Sequence, residues 1–201
     1  MLDQRRHQRI RFCEPPSISI GYGGSVVIGT IENLSLAGLM LRSGLDMTIG
    51  RHCGCEFSLF GSAVVDVAAV VVSRVGNLYG VRFESGPISE LAIDDAIDGA
   101  LAQGKASILS THETGGRRVL RISGGLNGGL RNDFMHALTR VGVQEIDTSA
   151  VTAVDQAGLA LCLTAQSRHG VAMGAQSECF ARSWNEAIRP PGKPGGRRLI
   201  A

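Results

Sequence analysis

Aromatic side chains make up only 4% of this 201-residue chain, so its cores have to be built from Val, Leu, Ile and Ala. No long hydrophobic run is present. The most apolar stretch, Val64 to Val72, is interrupted by Asp66 and is far shorter than the ~20 residues a spanning helix needs, so no membrane insertion is expected. Charge of one sign is also lacking: a net +2 is too small to argue for nucleic acid. The five cysteines (Cys13, Cys53, Cys55, Cys162 and Cys179) are odd in number, without framework spacing, and Met1 to Arg6 has no apolar core of a secretory leader. Disulfides are therefore not expected, and a reducing, cytoplasmic setting is. No Ser/His/Asp set or nucleophile elbow is visible, and the glycine-rich 124–129 stretch lacks the Lys-Ser/Thr of a phosphate loop. The chain does not read as an enzyme, and no cofactor is expected.

What is present suffices for two compact units. Hydrophobic residues make up 44% and charged residues 19%, a balance that can bury cores. The 27 glycines point to many tight turns. From 16 to 83, short segments rich in branched residues (17–20, 25–32, 39–42, 54–59, 64–75 and 79–83) are cut by Gly, Ser and Asn turns. Six strands at this spacing predict an all-β barrel or sandwich. At 87–103 the period changes to helical, with Leu91, Ile93, Ala96, Ile97 and Ala100 near one face, Ser89 as candidate N-cap and Gly104 as stop. Beyond it, strands at 119–123, 143–147 and 171–174 alternate with helices at 130–141, 157–168 and 178–188. That order predicts an α/β sheet with parallel pairs. The expected division is a first domain over 1–86, a helix and linker over 87–114, an α/β domain over 115–190, and a disordered Pro/Gly-rich tail over 191–201.

The first constellation is an arginine cluster, Arg5, Arg6 and Arg9, ahead of the first predicted strand, with Asn33-Leu34-Ser35-Leu36-Ala37-Gly38 after a later one. In an extended segment Asn33 and Ser35 share one face and Leu34 and Leu36 the other, so the amide and hydroxyl are expected outward as a polar platform. Gly38 is expected to let the backbone turn or approach a ligand. Guanidinium groups suit phosphate oxygens and the O6/N7 edge of guanine, and an amide suits a purine edge. The bland alternative is a solvated basic terminus. The two motifs, in this order and ahead of Gly80-Val81-Arg82-Phe83, resemble the PilZ family, whose pattern is Arg-x-x-x-Arg followed by Asp/Asn-x-Ser-x-x-Gly. The resemblance implies a six-stranded PilZ-like barrel binding cyclic di-GMP through Arg5, Arg6, Arg9, Asn33, Ser35 and Gly38. The arginine arm carries no apolar content to fix it, so it is expected to order on the ligand.

The second constellation runs from Asp147 through Ser149 to Asp155-Gln156-Ala157-Gly158-Leu159. By itself it reads as a strand, a loop on the sheet edge and an apolar helix capped by Asp155. It resembles the core of the STAS domain, in which a strand ending Asp-Leu-Ser is followed by Asp-Ser-x-Gly-Leu opening a helix. The resemblance implies an α/β STAS-like sheet with helices, whose loop and helix at Asp155, Gln156, Ala157 and Gly158 bind an unidentified protein partner. Gln156 stands where regulated members carry a phosphorylatable hydroxyl, so no phosphate switch is expected there. Ser149 and Thr152 read as structural.

His52-Cys53-Gly54-Cys55 offers three metal-ligand types, but zinc normally takes four and no second pair has suitable spacing. Asp94, Asp95 and Asp98 read as a solvated helix face, and Trp184 as a packing anchor. Together these readings imply a cyclic di-GMP receptor whose barrel senses and whose α/β domain signals. The alternative is a nucleotide-independent adaptor, with a degenerate barrel and the partner surface carrying the function.

Overall fold

The computed structural model describes residues 8–188. Seven strands come first: β1 (Ile10–Phe12), β2 (Ser17–Tyr22), β3 (Ser25–Ser35), β4 (Gly38–Arg42), β5 (His52–Phe57), β6 (Val65–Val75) and β7 (Leu78–Phe83). Their inward positions alternate with exposed ones, as in β5, where Cys53, Cys55 and Phe57 are buried between exposed neighbours. That period of two is what lets a curved sheet close around its own apolar face. The antiparallel order is β3-β2-β5-β6-β7-β4, and β4 pairs back to β3. Six strands therefore form a closed barrel, as their spacing in the sequence predicts.

β1 was not among the expected strands. It pairs with β3 on one side and with β8 (Ala106–Thr114) on the other. Ile10, in the midst of the supposed apolar-free arm, is only 1% exposed, so burial fixes the arm's root against the barrel. Helix α1 (Pro87–Ala102) follows β7. Its N-cap is Gly86 rather than Ser89, because Pro87 needs no backbone donor at the first helical position and holds Gly86 extended. Ile93, Ala96, Ile97 and Ala100 bury in the barrel's own core. That core does not stop at residue 86, and 106–114 is strand rather than linker.

β8 forms a hairpin with β9 (Arg117–Leu126), and β10 (Glu145–Val154) and β11 (Ala172–Gln176) add in parallel, giving the order β11-β10-β9-β8-β1. Helices α2 (Arg131–His136), α3 (Gln156–His169) and α4 (Glu178–Ile188) supply the crossovers and the cover, α2 continuing through a π turn at Ala137–Val141. The expected loop after Asp147 is instead the second half of β10. Two irregularities in its pairing with β9 absorb the extra residues, and β11 flanks β10 only over Glu145–Thr148. A second core forms around Leu120, Ile122, Phe134, Ile146, Phe180 and Trp184, with Trp184 stacked on Phe180 at 5.4 Å. Among the described residues, no helix is long and apolar enough to cross a membrane.

The two lobes share backbone as well as side chains. Cys13 N donates to Lys105 O at 2.9 Å, and Thr152 Oγ1 to Leu101 O at 2.6 Å.

Candidate functional site

The β1–β3 register determines which polar groups meet. Ile10 pairs with Leu34 and Arg11 with Asn33, and Arg9 immediately precedes the strand. Alternation turns Ile10 and Leu34 into the core, where they are 1% and 0% exposed, and puts Arg9, Arg11 and Asn33 on the opposite face. All three line a cleft of about 630 Å3 between the barrel and the C-terminal lobe, a size typical of small-molecule sites. Met40 of β4 adds to the barrel wall, and Asp133 and His136 of α2 form part of the far wall.

Within this cleft Asn33 Nδ2 rests 3.7 Å from the Met40 sulfur, while Asn33 Oδ1 is buried with no hydrogen-bond partner among the described residues. An unmatched buried acceptor costs roughly 1–3 kcal/mol, and a donor supplied by a ligand removes that cost. Arg9 is exposed. Arg11 is engaged side-on by Asp133, with Nε 2.6 Å from Oδ2 and Nη2 3.2 Å from Oδ1. Glu32, also on the cleft, accepts from Arg42 Nε at 3.0 Å.

Two members of the polar motif sit otherwise than expected. Ser35 is 5% exposed, and its hydroxyl donates to Gly38 O at 3.0 Å. It closes the tight β3–β4 turn, with which it pairs directly, and does not project outward. Gly38 faces β7: a Cβ there would lie 2.1 Å from Val81 O. The close approach that demands glycine is therefore to protein backbone. Arg5 and Arg6 lie outside the described residues. Arg11, Asp133 and His136 were missed from the sequence. Arg11 was legible in principle, since Arg9-Ile10-Arg11 alternates as a strand does, but Asp133 is 122 residues distant and carries no local signal.

The second motif is spent on architecture. Asp155 caps α3 as expected, accepting from Gly158 N at 2.6 Å. Asp155, Gln156 and Ala157 are exposed, whereas Gly158 is buried. A Cβ on Gly158 would lie 2.2 Å from Leu126 O, so this glycine serves helix-to-strand packing and is unavailable to a partner. Asp147 accepts from Ser149 N at 2.8 Å and lies 3.9 Å from Arg121 Nε. Burial disfavours its charge, but the Ser149 hydrogen bonds and the Arg121 cation outweigh burial and hold its carboxyl below the usual range.

The His52/Cys53/Cys55 set does not converge. Alternation along β5 buries both cysteines and turns His52 outward, where Nε2 lies 3.3 Å from Glu84 Oε2. Among the described residues no group of three or more metal-ligating side chains gathers.

Comparison with known proteins bears on the N-terminal half. The PilZ domain family model matches residues 3–97. No match to a curated protein is found. Similar solved structures include the PilZ domain of YcgR from Escherichia coli with c-di-GMP, at 18% identity and TM-score 0.40, covering 49% of this chain and 95% of that one. The Bacillus subtilis inhibitor of motility, MotI/DgrA, is 14% identical with TM-score 0.42, covering 50% and 53% respectively. PlzA of Borreliella burgdorferi in complex with c-di-GMP is 18% identical with TM-score 0.37, covering 47% of this chain and 41% of that one. Likeness at this level carries no residue-by-residue correspondence. The family match rests on the sequence itself: residues 3–97 of this chain match the PilZ domain model.

Proposed function

We propose that this protein is a cytoplasmic cyclic di-GMP receptor without catalytic activity, in which the PilZ domain takes the dinucleotide and the C-terminal lobe passes the signal to a protein partner. The observation that carries this reading is the gathering of Arg9 and Asn33 on one cleft, with the Asn33 amide oxygen left without a partner among the described residues. Arg9, with Arg5 and Arg6, supplies the guanidinium groups that phosphates and guanine edges accept from, and Asn33 offers its amide to a purine edge. Ser35 and Gly38 hold the turn that keeps Asn33 in place. β1 is shared by the barrel and the C-terminal sheet, so a ligand on Arg9 acts on the strand joining the two lobes.

The C-terminal lobe is proposed as STAS-like, with Asp155, Gln156 and Ala157 forming its partner-facing edge. Their exposure at the start of α3 supports this reading. Calorimetric titration of the full chain with cyclic di-GMP tests the receptor. Binding by the wild type that is lost in Arg9→Ala is expected, and no heat from the wild type would refute it. A nucleotide-independent adaptor is the second reading. It draws on the Ser35 hydroxyl being committed to Gly38 O, and the same titration decides between the two.

A further inference from the structure

Two cations on one strand face behave differently in this cleft. Arg9, immediately before β1, and Arg11 on it are two residues apart, and both line the cleft that carries Asn33. Arg11, however, is gripped side-on through two of its donors by Asp133, which comes from the other lobe on α2. Among the described residues, the acidic groups on the cleft wall are Glu32 and Asp133. Glu32 is answered on the barrel side by Arg42, which leaves Asp133 as the carboxylate that holds a cation of the site itself.

The geometry points to Arg11 as a further phosphate-binding residue that Asp133 holds in reserve, so that cyclic di-GMP binds by displacing an inter-lobe ion pair. This inference rests on the receptor reading above. A carboxylate and a phosphate oxygen seek the same guanidinium edge, and two anions a few ångströms apart repel. Ligand and Asp133 therefore exclude each other at Arg11. Because linkage is reciprocal, the ion pair that lowers affinity for the nucleotide is also the contact the nucleotide releases. Its release frees α2 from β1, which converts an occupied barrel into an altered C-terminal surface. His136, on the same helix and the same cleft, moves with it.

The test is calorimetric titration of the full chain with cyclic di-GMP for the wild type, Arg9→Ala, Arg11→Ala, Asp133→Asn and the Arg11→Ala/Asp133→Asn double variant. The Arg11 and Asp133 side chains are 58% and 38% exposed, and exposed pairs contribute little to folding, so the variants are expected to fold. Asp133→Asn should bind about fivefold tighter through lost repulsion and lost competition. Arg11→Ala should bind about tenfold weaker, and adding Asp133→Asn to it should recover clearly less than that fivefold, because only the direct repulsion is then relieved. If the wild type binds and loses binding in Arg9→Ala, yet Asp133→Asn is no tighter, the latch is overturned and the receptor stands. The latch equally fails if Asp133→Asn tightens binding by the same factor without Arg11. Failure of every variant to bind overturns both.

Discussion

The β1–β3 face and the start of α3 carry similar ingredients: an Asn or Asp, a further polar residue and a glycine next to a strand. They end differently. At the start of α3, Asp155 spends its carboxylate on Gly158 N, and Gly158 spends its missing side chain on Leu126 O. Across β1 and β3, Asn33 retains an unmatched buried acceptor, Arg9 stays exposed, and a cleft opens before them. A motif whose polar groups are satisfied within the fold serves the fold, and one whose groups are left over has capacity for a ligand. The difference lies in where hydrogen bonds are consumed, which residue types alone do not reveal.

The sharpest test of that comparison is to crowd the glycine of the architectural site. Gly158→Ala places a Cβ against Leu126 backbone and should cost roughly 3 kcal/mol through overpacking, read as a lowered denaturation midpoint. An unchanged midpoint would show that α3 shifts freely and that the comparison is mistaken. On the other face, Arg9→Ala should leave the midpoint within about 0.5 kcal/mol, since it is a surface change, while costing about 2 kcal/mol of cyclic di-GMP affinity as a lost charged hydrogen bond. Asp155→Ala should remove a helix cap worth about 1 kcal/mol, visible in chemical denaturation, with no change in nucleotide affinity.

The smallest effect concerns pH. Asp147 has its folded carboxyl held below the usual range, so it adds stability that is fully present above the unfolded carboxylate value near 4. That stability is lost as pH falls through the lower folded value. Asp147→Asn should lower the neutral part of the stability curve while leaving its acid end nearly unchanged, and superimposable curves would remove Asp147 from the account.

Local pattern carried much of this molecule. Alternating branched residues between Gly-rich turns determined β2 to β7, since burying one face of a strand requires a period of two. The apolar stripe of α1 and the Asp155 cap were legible for the same local reason, and the resemblance to PilZ singled out Arg9 and Asn33, which line one cleft. β1 escaped because three residues are too few to show a period, and β8 because its pattern, Ala106 and Ser107 buried ahead of half-buried neighbours, is that of an interior strand rather than an amphipathic one. The loop after Asp147 was expected from the residues themselves as well as from the family pattern, while the chain continues as strand by absorbing residues in bulges.

By itself the sequence determined which segments extend, which coil and where the chain turns, because those preferences arise within a few residues. Only the tertiary structure decided that β1 stitches the barrel to the second sheet, that Ser35 turns inward, and that Asp133 reaches Arg11. These depend on partners far apart along the chain, and no short-range preference encodes the register that brings them together.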